Sequence, residues 1–185
     1  MAFNINQFRG ELEQGGARAA LFEVVLTPPP GGLLNGLEKS IFMVRTAQLP
    51  SSTVSTLTPS YFGRQIKLAG NRTFEDWTVT IINDEDFLIR NAMEEWLASI
   101  NSHEGNVTQL GAGASEYKAQ AQITQYSKTG APLRTYNFNG LFPTNIGEIT
   151  MDWSTTDEIE TFDITFAYDW WNVSGGTTGD GGTNA

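Results

Sequence analysis

The sequence predicts a mainly β fold: a β-sandwich or partly open barrel of about eight strands, with one α-helix inserted in mid-chain. Three observations predict it. Short stretches alternate apolar and polar residues with the period of a strand, most clearly at Trp77–Ile82, Tyr117–Tyr126 and Thr161–Trp171. Pro, Gly and Asn clusters separate them. A single stretch, from Asn83 to about Asn101, repeats its apolar residues at helical spacing.

Residues 1–19 are polar, carry Gly10, Gly15 and Gly16, and read as an arm or short helix outside the core. The folded unit is expected over residues 20–171. Leu21–Thr27 is a first strand, ended by Pro28-Pro29-Pro30-Gly31-Gly32, since proline cannot donate to a ladder. Ile41–Ala47 reads as a second strand. Leu49–Tyr61, rich in Ser and Thr and containing Leu49, Pro50, Val54, Leu57, Pro59 and Tyr61, reads as a long extended loop, and a loop of that length usually has a task. Gln65–Leu68 and Thr73–Ile82 follow, with Ala69-Gly70-Asn71-Arg72 as the turn between them.

The helix is expected to begin at Asn83, capped by its side chain, with Asp84, Glu85 and Asp86 on the positive end of the dipole. Phe87, Met93, Trp96, Leu97 and Ile100 are its expected core face. Residues 105–115 form a Gly-rich linker. Strands are then expected at Tyr117–Tyr126, Leu133–Phe142, Glu148–Trp153 and Thr161–Trp171, the last placing Phe162, Ile164, Phe166, Tyr168 and Trp170 on one face. Residues 172–185 read as a flexible Gly-rich extension.

Charge is unevenly distributed. The chain holds 21 acidic and 11 basic residues, a net −10, and no Lys or Arg follows Arg134. Eight acids do: Glu148, Asp152, Asp157, Glu158, Glu160, Asp163, Asp169 and Asp180. Such a balance argues against a nucleic-acid grip, which needs basic patches, but suits a surface past which nucleic acid slides. The absence of cysteine removes disulfide and thiolate chemistry and suits a reducing cytoplasm. No apolar run reaches the length of a membrane span, and no secretory signal is read at the N-terminus.

Chemistry finds little support. The sole histidine, His103, reads as a surface loop residue after the helix rather than a general base. Zinc would need several His or Cys ligands. Asp84-Glu85-Asp86 lacks the alternation and glycine of a calcium loop, and Gly111-Ala112-Gly113 lacks the spacing of a phosphate loop. No cofactor, metal site or catalytic set is expected.

Two stretches carry a resemblance. One runs from Arg64 to Glu85 (Arg-Gln-Ile-Lys-Leu-Ala-Gly-Asn-Arg-Thr-Phe-Glu-Asp-Trp-Thr-Val-Thr-Ile-Ile-Asn-Asp-Glu). The other begins Gly140-Leu-Phe-Pro-Thr-Asn-Ile-Gly-Glu148 and continues through Asp152-Trp153 and Glu158–Phe162 to Tyr168-Asp169-Trp170-Trp171. With Gly16–Val24 and Ala114–Lys118, they resemble the tail tube proteins of T4-like contractile-tailed phages over roughly residues 16–171. The Pro28–Leu37 segment and the end after Trp171 depart from that pattern.

The resemblance implies a virion subunit made in the host bacterial cytoplasm. It implies six-membered rings stacked into a hollow tube inside a sheath. Its expected partners are copies of itself, the sheath protein, the tape-measure protein, a baseplate tube initiator, a tail terminator and viral DNA in transit. It also implies an inner sheet lining the lumen, with the loop near Ala47–Gly63 reaching an adjacent ring. Glu148, Asp152, Asp163 and Asp169 are the candidate lumen-facing acids. Three other readings compete: the inner tube of a phage-like injection particle, a baseplate tube-initiator paralogue, and, from a different class, a monomeric carbohydrate-binding sandwich.

Overall fold

The computed structural model describes residues 5–12, 16–29, 37–108 and 113–174. In chain order the elements are α1 (Ile5–Glu11), β1 (Phe22–Thr27), a 3-10 turn (Leu37–Lys39) running into α2 (Ser40–Met43), β2 (Val44–Ala47), β3 (Thr53–Leu57), β4 (Ser60–Tyr61), β5 (Arg64–Gln65), β6 (Leu68–Thr73) and β7 (Trp77–Ile82). Then come α3 (Leu88–Ile100), α4 (Ala114–Tyr117), β8 (Ala119–Tyr126), β9 (Pro132–Ile146), β10 (Thr161–Ala167) and β11 (Trp170–Ser174).

Seven strands form one antiparallel sheet in the order β1-β8-β9-β10-β7-β2, with β11 also paired to β9. The 15-residue β9 joins two halves. Its first part pairs β8 on one side and β11 on the other, and its last part pairs β10. Trp77 of β7 stacks on Phe138 in the first part of β9, ring centroids 4.4 Å apart, so the halves face each other across the core. Alternation supplies that core. Val24 and Leu26, Ala119, Ala121 and Ile123, Trp77, Val79 and Ile81, and Phe162, Ile164 and Phe166 are all buried, with their sequence neighbours turned outward.

Helix α3 covers the core with Ile89, Ala92, Met93, Trp96 and Ser99. Trp96 satisfies its indole N–H on the Tyr117 carbonyl at 2.9 Å, which ties α4 to the helix. Leu97 and Ile100 are half-buried.

Several sequence expectations need correction. The described residues hold eleven strands rather than about eight. Residues 41–43 are helical, so the second strand starts at Val44. The expected loop at Leu49–Tyr61 contains β3 and β4, and the expected turn at 69–72 lies inside β6. The true turn is Phe62-Gly63, with φ of 46° and 77°, the left-handed pair of a two-residue hairpin.

Helix α3 starts at Leu88, not Asn83. Phe87 has φ 52°, which no helix continues, and it is 37% exposed rather than in the core. Asn83 instead pairs with Glu160 through its backbone N–H and its side-chain amide, both at 2.9 Å. Asp84 and Asp86 are held by the Lys39 ammonium. Residues 148–153 form no strand.

The stretch 161–171 breaks at Tyr168-Asp169, and the break changes its parity. Trp170 is 48% exposed, while Trp171 packs against the core. Residues 172–174 belong to β11. The rest of the expected extension, and parts of the N-terminal arm, the Pro28–Leu37 segment and the 105–115 linker, lie outside the described residues.

Candidate assembly surfaces

The segment between β2 and β7 leaves the sheet as a hairpin arm. Thr53 pairs Thr73 and Leu57 pairs Leu68. The Ile66 N–H then donates to the Pro59 carbonyl at 3.1 Å, and Ser60 pairs Gln65 up to the Phe62-Gly63 tip. From Thr53 to the tip the ladder spans about 30 Å. Nearly every residue is exposed, including Val54, Leu57, Pro59, Tyr61, Ile66 and Leu68, and Phe62 at the tip is 90% exposed. Leu49 at the base is exposed and Pro50 half-buried. An arm with this much apolar surface and no core of its own is built to be covered. Sequence reading found its first half but missed Phe62, Ile66 and Leu68. The available signal was a β-prone run, Thr53–Leu57, with no buried face to alternate with.

Edges are the second feature. Among the described residues of the seven-stranded sheet, β1 pairs only β8, β2 only β7 and β11 only β9, so these three strands have an outer side without a partner strand. Such edges invite another chain.

The outward faces of the two halves differ. Beyond the core, β2, β7 and β10 align Thr46, Thr80 and Asp163 in one cross-strand row, with Arg45 exposed beside Thr46 at a register shift of β2, and Thr78 of β7, Thr165 of β10 and Asn145 of β9 follow in the next. The Thr80 hydroxyl donates to Asp163 at 2.7 Å, and Thr78 and Thr165 pair at 3.3 Å. The other half presents amides: Gln120 opposite Asn139, and Gln122 opposite Asn137, whose side chain bonds Asn172 at 2.9 Å.

The four candidate acids do not form one wall. Asp163 stands on the threonine face. Asp169 sits at the corner between β10 and β11, where Lys118 donates to both its oxygens at 2.7 Å. Glu148 and Asp152 lie in the loop between β9 and β10. The Ser154 backbone N–H and hydroxyl bond Asp152 at 2.9 and 2.8 Å and hold its carboxyl below the usual range. His103 is exposed, and among the described residues no group of His, Cys, Asp or Glu could hold a metal ion. No described helix is long and apolar enough to cross a membrane.

The family model for phage tail tube proteins matches residues 17–174. The chain belongs to this tail tube family. It is 37% identical to the tail tube protein gp19 of Enterobacteria phage T4 over 131 residues, 70% of this chain and 79% of that protein. It is 25% identical to the tail tube protein of Serratia phage KSP90 over 89% of this chain and 93% of the relative. Among solved structures, the tube-terminating cap of the anti-feeding prophage shares the fold, with a TM-score of 0.64 at 20% identity, covering 94% of this chain and 99% of the cap. As a tail tube protein the chain has a structural role in a contractile tail.

Proposed function

We propose that the chain closes into rings of six and that the rings stack as the inner tube of a contractile phage tail, the conduit for the tape-measure protein and then for DNA. The observation that carries this is the set of three open edges on one subunit whose family is tail tube. Side-by-side copies pair those edges, and closure of the ring removes them. The sheath covers the outside, a baseplate initiator starts the tube and a terminator ends it.

The threonine face of β2, β7 and β10 fits the lumen better than the amide face. Its two rows carry hydroxyls, one amide and one carboxylate, with the exposed Arg45 at the β2 register shift beside them, whereas the other half presents a denser set of side-chain amides whose N–H groups would hold phosphates. Of the four candidate acids, Asp163 is the one on that face. Asp169 is neutralised by Lys118, and Glu148 and Asp152 sit at the end of the sheet. Six copies bring about −60 of charge to each ring, a field that keeps DNA sliding. Electron microscopy of whole particles tests the proposal: density for this chain should form six-fold rings within the sheath, with Asp163 toward the axis. A tube whose density excludes this chain would end the reading.

A further inference from the structure

The arm joins the sandwich through two short limbs that belong to no strand. Residues 48–52 lead into it from β2, and residues 74–76 lead out of it to β7. No ladder sets the direction of these limbs, so whatever holds them decides where the arm points. Over a lever of about 30 Å, a swing of about 10° at the root moves the tip by about 5 Å.

Aromatic side chains hold both limbs. On the entering limb the Gln48 carbonyl accepts the Trp77 indole N–H at 2.8 Å, and the Ser51 carbonyl accepts the Trp171 indole N–H at 3.2 Å. The two donors come from opposite halves of the sandwich, β7 and β11. One bond would leave the limb free to pivot, whereas two points held from two sides do not. On the returning limb Phe74 packs against Tyr168, ring centroids 6.0 Å apart. The holding residues are locked to one another in turn. Buried Phe138 stacks on Trp77 at 4.4 Å and meets Tyr168 edge to face at 5.0 Å, and Trp171 lies 5.7 Å from Tyr136. Buried indoles ordinarily find an acceptor somewhere. Here both find it on a limb that nothing else directs.

We infer that Trp77 and Trp171 are positioning residues which, together with Phe74 on Tyr168, aim the arm while the subunit is still free. The exposed tip, with Tyr61, Phe62 and Ile66, then stands at a fixed place relative to the sandwich. A contact made by an arm already aimed spends little of its energy on ordering. The inference goes beyond the ring-and-tube reading and holds for a single chain, whatever covers the arm.

The natural absence of cysteine lets two spin labels be placed at will. Gln65→Cys lies near the arm tip and Glu95→Cys on the exposed face of α3. Full-length labelled chain, diluted into an excess of unlabelled chain, reports distances within one copy by pulsed dipolar electron resonance. With no other change, the distribution should be single and as narrow as that between two labels within the sandwich, Glu95→Cys and Gln122→Cys. Trp171→Phe keeps an aromatic ring and removes the donor, and Phe74→Ala releases the other limb. Each should widen the arm distribution at least twofold, with the melting temperature of Trp171→Phe within a few degrees of the unaltered chain. Phe74→Ala carries the same test should Trp171→Phe fail to fold. A lowered melting temperature with unchanged width would mean that these aromatics only stabilise the fold, and would overturn the inference. A broad distribution before any substitution would overturn it as well, and neither result bears on ring formation.

Discussion

A methyl group added at Gly140 would lie 2.1 Å from the Asp169 carboxylate that Lys118 grips, and Gly140 has φ 70°. Both the backbone and the space therefore require glycine where β9 passes from one half of the fold to the other. Gly140→Ala should lower stability by about 1–3 kcal/mol, read as a lower urea midpoint at unchanged slope. Lys39 poses a different residue-scale question. Its hydrogen bonds hold the Asp84 and Asp86 carboxyls below their usual range, and the same bonds raise the lysine. A lowered carboxyl stabilises the fold above its ordinary titration range and loses that contribution as pH falls through its folded value, while the raised lysine keeps its share until alkaline pH. The melting-temperature gap between the unaltered chain and Lys39→Met should stay constant near neutrality and close in acid below about pH 4. Residue roles were legible where the partner is local: Trp96 at helical spacing, and Trp77 alternating with Thr78. Asn83 and Phe87 were not legible. The partner of Asn83 is Glu160, 77 residues away, and no local pattern announces it.

Elements were legible in proportion to how much core they cover. Strands β1, β7, β8 and β10 each bury one face, and the buried face writes the alternation into the sequence. Helix α3 does the same at its own period, and Trp96→Ala should cost about 3–5 kcal/mol in urea denaturation, since that side chain is 1% exposed. The arm buries neither face in its own subunit, so Thr53–Leu57 looked like a loop. The break at Tyr168-Asp169 was hidden for another reason. Aromatics continue on the same parity through Trp170, and only the turn to β11 shows that Trp171 takes the inward place. The arm's independence of the core makes a prediction. Replacing residues 53–73 with a short Asn-Gly turn should leave the melting temperature within a few degrees of the unaltered chain, because none of the arm's side chains is in the buried core. The same deletion should abolish stacking of rings in assembled tails. A large drop in melting temperature would mean that the arm holds its own subunit together.

At the scale of the whole molecule the difficulty is timing. A subunit with three open edges in its main sheet and an apolar arm tip has every local reason to associate, whereas the tube proposed above is started by a baseplate initiator. Net charge is the opposing term available in this chain: copies at −10 repel before short-range contacts form. That repulsion reaches about 30 Å at 0.01 M salt and about 3 Å at 1 M. Purified chain in low salt should therefore be a monomer or a loose oligomer, and raising the salt should shift it toward larger species as the edges come within reach of one another. Multi-angle light scattering across a salt series reads the shift directly. Long tubes formed spontaneously in low salt would show that charge does not restrain the edges, and control of assembly would then have to lie in a conformational change of the arm.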